Sequence, residues 1–111
     1  MDRDNRLGRF EELVLLALVR LRENAYGVPI RREIAERTGR DVSFGAVYTT
    51  LERLERKGYV SSRVGEPTRE RGGRAKRYFR VTAKGLREVR DAQRVFTSLW
   101  NGIPKLKGGV V

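Results

Sequence analysis

The stretch Leu13-Val14-Leu15-Leu16-Ala17-Leu18-Val19 is apolar at every position, and a helix apolar nearly all round must be covered on more than one side. Glu11 and Glu12 stand just before it, in the first turn of a helix predicted over Phe10 to Arg22, where carboxylates are favourable beside a positive helix N-terminus. Such a helix belongs at the centre of a fold. The chain has 111 residues, enough for one domain, and domains of this order bury only about 60 to 70% of their unfolded surface, so a second copy is the expected source of further cover. The same run is far shorter than the roughly 20 residues a bilayer requires, and acids stand where a signal peptide carries bases, so a soluble cytoplasmic protein with no membrane partner is expected.

The chain has 25 Lys and Arg against 14 Asp and Glu, a net charge of +11, and contains neither Cys nor His. Disulfides, thiol nucleophiles, zinc sites with N or S ligands and imidazole bases are all excluded by that composition. There is also no Gly-rich phosphate loop ending in Lys-Ser or Lys-Thr and no Gly-x-Ser-x-Gly elbow, so the expectation is a protein that is not an enzyme and that carries no metal and no cofactor. The excess of bases begins after the first helix and is densest over residues 58 to 80, the footprint of a surface that faces a polyanion.

Tyr26-Gly27-Val28-Pro29 opens a second helix, with Pro29 in a first-turn position, Ile30 and Ile34 one turn apart on its inner face, and Gly39 as its C-cap. Ser43 is the expected N-cap of a third helix. At about 100° per residue, Phe44, Val47, Leu51 and Leu54 fall on one stripe of that helix, while Gly45, Ala46, Thr49, Arg53 and Arg56 fall opposite. Small residues allow close approach to a large rigid surface, and a hydroxyl and guanidinium groups can then reach base edges or phosphates. The pattern suits a recognition helix in a DNA major groove, with the second helix packed across it as the first half of a helix-turn-helix.

Gly58 ends the third helix, Tyr59 to Val64 and Tyr78 to Val81 read as paired strands, and Gly65 to Lys76 connects them with Arg69, Arg71, Arg74 and Lys76, followed by Arg77. A helix-turn-helix followed by a basic hairpin is a winged helix. Thr82 is the expected N-cap of a last helix reaching to about Gly102 before Pro104. Leu86, Val89, Ala92, Phe96, Leu99, Trp100 and Ile103 share an arc of about 140° on it. The fold class is therefore mainly α with a two-stranded β-wing: a winged helix-turn-helix region over residues 1–82, a C-terminal dimerisation helix over 83–104 and a flexible tail over 105–111, within one compact domain. Leu13, Leu16, Leu86, Val89, Phe96 and Leu99 are the candidate dimerisation residues.

The chain resembles the PadR-type winged-helix transcriptional regulators in Gly8-Arg9-Phe10-Glu11-Glu12-Leu13-Val14-Leu15-Leu16-Ala17-Leu18, in Ala25-Tyr26-Gly27, in Gly45 to Val60, in Arg71-Gly72-Gly73-Arg74-Ala75-Lys76-Arg77-Tyr78-Phe79 and in Val81-Thr82-Ala83-Lys84-Gly85. That resemblance implies a homodimeric double-stranded-DNA-binding regulator, usually a repressor, in the compact branch with a single C-terminal helix. It also implies that Tyr48 lies near the DNA backbone and that Arg71 to Arg77 form the wing. The expected DNA-binding set is Ser43, Gly45, Ala46, Tyr48, Thr49, Arg53, Arg71, Arg74, Lys76 and Arg77. Gln93, Phe96 and Trp100 form a candidate site for a small apolar or aromatic effector between subunits, the competing reading being that both rings are packed core. An architectural or RNA-binding winged helix without sequence preference would carry the same charge excess, and preference for one short duplex separates the two.

Overall fold

A computed structural model describes residues 7–66 and 75–104. The expected tail over 105–111 and the wing residues Arg71 and Arg74 lie outside the described residues. Helix α1 spans Arg9–Leu21 and runs into a short 3-10 turn over Arg22–Asn24; α2 spans Gly27–Thr38, α3 Phe44–Arg56, strand β1 Val60–Val64, β2 Arg77–Val81 and α4 Ala83–Trp100. The strands form an antiparallel hairpin in which Val60 faces Val81 and Ser62 faces Phe79.

Local signals account for most of these boundaries. Ser43 Oγ accepts from the Ala46 N–H at 3.0 Å and Thr82 Oγ1 from the Gly85 N–H at 3.1 Å, each satisfying a donor left open at a helix start. Gly39 ends α2 in the left-handed conformation, at φ 72°, which an L side chain resists.

Helix α1 packs on α2, α3, β2 and α4. Val14, Leu15, Ala17 and Leu18 supply its buried face, and Ile30, Ile34, Val47, Leu51, Leu54, Tyr59, Val60, Phe79 and Val89 close the core around them. The cover is incomplete: Leu16 and Val19 remain exposed on α1. One residue of the predicted α3 stripe departs from the core. Phe44 is 41% exposed and lies under the Arg31 guanidinium, 4.8 Å from it, because Arg31 is anchored to the α2–α3 turn by its bond to the Val42 carbonyl. Thr50 is buried in its stead, between the predicted positions.

On the outer side, Glu33 of α2 accepts from Arg20 of α1 at 2.6 Å and from Arg37 at 3.0 Å. Those two bonds, Arg20's first, hold the Glu33 carboxyl below its ordinary value of 4.5. A carboxyl lowered in the folded state stabilises the fold fully above its unfolded value, and that contribution is lost as the pH falls through the lower folded one. Glu33→Gln is therefore expected to flatten the decline of stability below pH 4.5 in denaturant titrations. An unchanged acid limb would show that the strap contributes nothing.

Candidate nucleic-acid interface

The candidate interface centres on α3, which turns Val47, Thr50, Leu51 and Leu54 into the core and leaves Gly45, Ala46, Thr49, Arg53 and Arg56 exposed. Gly45 and Ala46 keep the first turn low, and Thr49 stands one turn before Arg53 on the open face. Ser43, expected among the contact residues, is already engaged as the cap of this helix. Tyr48 is 40% exposed: its ring lies 6.4 Å from that of Phe79, and its hydroxyl end covers Gly27, where an added Cβ would stand 2.1 Å from the oxygen. The side chain is thus half buried, and Gly27 is the residue that lets α2 pass beneath it.

The base of the hairpin is tied to α3. Arg77 donates to Glu55 at 3.0 Å and to the Ser62 hydroxyl, and Ser62 in turn donates to Glu55 at 2.8 Å. Arg77 therefore ties the two strands to α3, and part of its charge is met by Glu55. Lys76 sits over the Tyr26 ring at 4.5 Å, Tyr26 meets Tyr78 edge to face at 5.5 Å, and Arg63 covers Tyr78 at 4.7 Å. This alternation of cations and rings stiffens the strands below the wing. Gly65 continues the ladder through its N–H to the Lys76 carbonyl at 2.7 Å.

Charge is arranged less simply than the composition implies. Glu11 is buried, and its carboxylate accepts from Lys57 Nζ while lying 3.9 Å from the Arg53 guanidinium. These partners are separated by more than 40 positions, so no local pattern could have paired them; the only hint is that Glu11 occupies the third helical position, from which a carboxylate can reach back to cap α1. The bases Arg63 and Arg80 on the hairpin are exposed additions to the predicted set.

The distal half of α4 holds the other candidate sites. Leu86 and Val89 pack on the domain, whereas Val95, Phe96, Leu99, Trp100 and Ile103 are exposed, and Gln93 is exposed with them. Phe96 carries the Arg9 guanidinium over its ring at 4.2 Å. Among the described residues no group of carboxylates could hold a metal ion, and no helix is long and apolar enough to cross a membrane.

A three-helix core with a capped recognition helix and a basic two-stranded hairpin defines a winged helix-turn-helix protein of the DNA-binding class. Residues 15–91 match the transcriptional regulator PadR-like family. Among solved structures, a PadR family transcriptional regulator from Eggerthella lenta is 30% identical, with a TM-score of 0.67 over 92% of this chain and 87% of that one. A complex structure of hsRosR, designated S4, is 28% identical, with a TM-score of 0.69 over 90% and 80%, the RosR of H. salinarum being matched also without that designation. A PadR family regulator from Clostridium difficile R20291 shares the fold at 22% identity, with a TM-score of 0.68 over 85% and 96%. No curated protein matches the chain. The chain belongs to the PadR-like family of transcriptional regulators, and its role is DNA-binding transcription regulation.

Proposed function

We propose that the protein is a homodimeric, sequence-specific repressor that reads double-stranded DNA with two copies of α3. The observation that carries this reading is the apolar face of α4, where Phe96, Leu99, Trp100 and Ile103 stand 40% or more exposed while α1 leaves Leu16 and Val19 open. Contiguous apolar surface of that kind marks an interface, and Leu13, Leu16, Phe96 and Leu99 belong to it in this reading, whereas Val89, expected with them, is buried in the domain's own core and Leu86 packs against that core. Pairing through α1 and α4 would present two recognition helices to major grooves about one helical turn, roughly 34 Å, apart. Sedimentation should give twice the 12.8 kDa of the chain; a monomer at micromolar concentration would sink the reading.

Within this dimer Thr49 and Arg53 contribute sequence preference, Gly45 and Ala46 permit the approach, and Tyr48 sits beside the backbone. Arg71, Arg74, Lys76 and Arg77 contribute affinity through phosphates. Selection from a random duplex library should return one two-half-site sequence. Replacing Arg74 and Lys76 by Ala should weaken all duplexes about equally and flatten the salt slope by about one unit per lost contact. A changed preference with the salt slope intact would remove the wing assignment. Gln93, Phe96 and Trp100 are offered as the place where a small apolar or aromatic effector enters between subunits. Fluorescence of the single Trp, titrated with planar cationic and phenolic compounds, tests that assignment; emission that is unchanged across the panel and typical of a buried indole would favour packed core.

A further inference from the structure

Among the described residues Glu11 is the most deeply buried carboxylate, its side chain 5% exposed. Oε1 accepts the Gly8 N–H at 2.7 Å, and both oxygens accept from Lys57 Nζ at 3.0 Å. Those bonds fasten it from both sides: Gly8 caps α1, and Lys57 follows α3, with its own carbonyl held by Lys84 Nζ at 3.1 Å. Oε2 then faces the Arg53 guanidinium at 3.9 Å. Arg53 is half exposed, and its chain neighbour Glu52 forms no ion pair among the described residues. The acid that Arg53 meets therefore comes from another helix and cannot swing away.

We propose that Glu11 is a specificity-determining residue of the DNA-binding surface, a fixed counter-ion that occupies Arg53 until a duplex offers it a better partner. The inference rests on the DNA-binding reading given under Proposed function. A chain of net charge +11 attracts any phosphate backbone, and each free guanidinium strengthens that attraction regardless of sequence by releasing a counter-ion. Specificity is a difference between affinities, so weakening the sequence-blind term raises it as effectively as adding a base contact. A buried carboxylate does this selectively. A single phosphate oxygen exchanges one anionic partner of Arg53 for another with little gain, whereas a guanine edge accepts two bonds in the planar fork geometry that a guanidinium supplies.

The test uses the full chain with a random-sequence duplex, over a range of salt concentrations. Glu11→Gln retains an oxygen for the Gly8 N–H and removes the charge. It should bind the random duplex about fivefold to tenfold more tightly at 0.1 M salt, with a salt slope steeper by about 0.9, the release of one more counter-ion. Adding Arg53→Ala to it should return both values to those of the wild type. A purely structural role would weaken binding to every duplex together and leave no dependence on Arg53. Glu11→Gln with an unchanged slope, or a gain that survives Arg53→Ala, would overturn the inference. Should Glu11→Gln not fold, the slope lost on Arg53→Ala is set against that lost on Arg56→Ala, Arg56 being exposed on the same helix: a smaller loss at Arg53 is expected, and an equal loss of about 0.9 at both would mean that Arg53 was never withheld. Failure to select any preferred duplex sinks sequence-specific reading, whereas these slopes judge Glu11 on sequence-blind binding.

Discussion

Gly85→Ala is expected to lower the melting temperature by roughly 10 °C, a loss of about 2 to 3 kcal/mol, although Ala is the better helix former by about 1 kcal/mol. Gly85 lies in the first turn of α4, pressed against the end of α3 and the start of the hairpin. A Cβ there would stand 2.2 Å from the Tyr59 carbonyl oxygen and 3.0 Å from its carbon. That carbonyl cannot yield. It accepts the Thr82 N–H at 3.0 Å, the Tyr59 N–H is bonded to the Leu54 carbonyl at 2.9 Å, and the Thr82 hydroxyl donates to the Gly58 carbonyl at 2.7 Å. Tyr59 itself is 1% exposed. Relief must therefore come from moving α4 as a whole, which strips Val89 from the core. Gly45→Ala is the matched control, since the Cβ would meet nothing nearer than the Ser43 hydroxyl at 3.8 Å. The same methyl group on that exposed helical site should raise stability by up to about 1 kcal/mol. Thermal melts of the two variants that shift in the same direction, or a Gly85→Ala protein melting with the wild type, would show that the Tyr59 contact is not a constraint.

The second large effect is expected from the exposed end of α4. If the proposed dimer pairs through α4, Leu99→Glu combined with Trp100→Glu should yield monomer and weaken binding to a two-half-site duplex by about 10²-fold or more, the gain that linking two modules ordinarily provides. Both side chains are more than half exposed within one chain, Leu99 at 69% and Trp100 at 59%, so their replacement removes little from the fold of a single copy. Across a dimer seam each would be worth roughly 1.5 to 3 kcal/mol of burial, and two carboxylates facing their symmetry mates would oppose association further. Sedimentation, melting temperature and operator affinity measured together discriminate the outcomes. Loss of dimer and of operator affinity with a retained helical far-ultraviolet signal is the expected result. A double variant that stays dimeric would place the dimer contact elsewhere, and one that is monomeric yet binds the operator as before would remove the two-site reading of DNA.

The local order of this protein is written in neighbouring residues. Ser43 and Thr82 as caps, Gly39 as a left-handed helix end, the paired strands and the opposed faces of α3 follow from hydrogen-bonding capacity, steric freedom and a period of 3.6, all of which act within a few positions of the chain. The PadR-like character was legible in the same way, because the motifs that carry it are contiguous. The candidate DNA-facing surface was drawn from the sequence as a set of residue types, but its internal commitments were not legible there. That Glu11 meets Lys57 and Arg53, that Arg77 is bound to Glu55, that Tyr48 rests on Gly27 and that Gly85 touches the Tyr59 carbonyl depend on how α1, α3, the hairpin and α4 are set against one another. Phe44 shows the same limit from the opposite direction: its periodicity placed it inside, and the Arg31 anchor at the α2–α3 turn holds it at the edge. Periodicity determines which face of a helix is apolar, since the angle between side chains belongs to the backbone. Which part of that face is covered, and which charge is already paired, is decided only when distant segments pack, because burial and ion pairing are properties of separation in space and not along the chain.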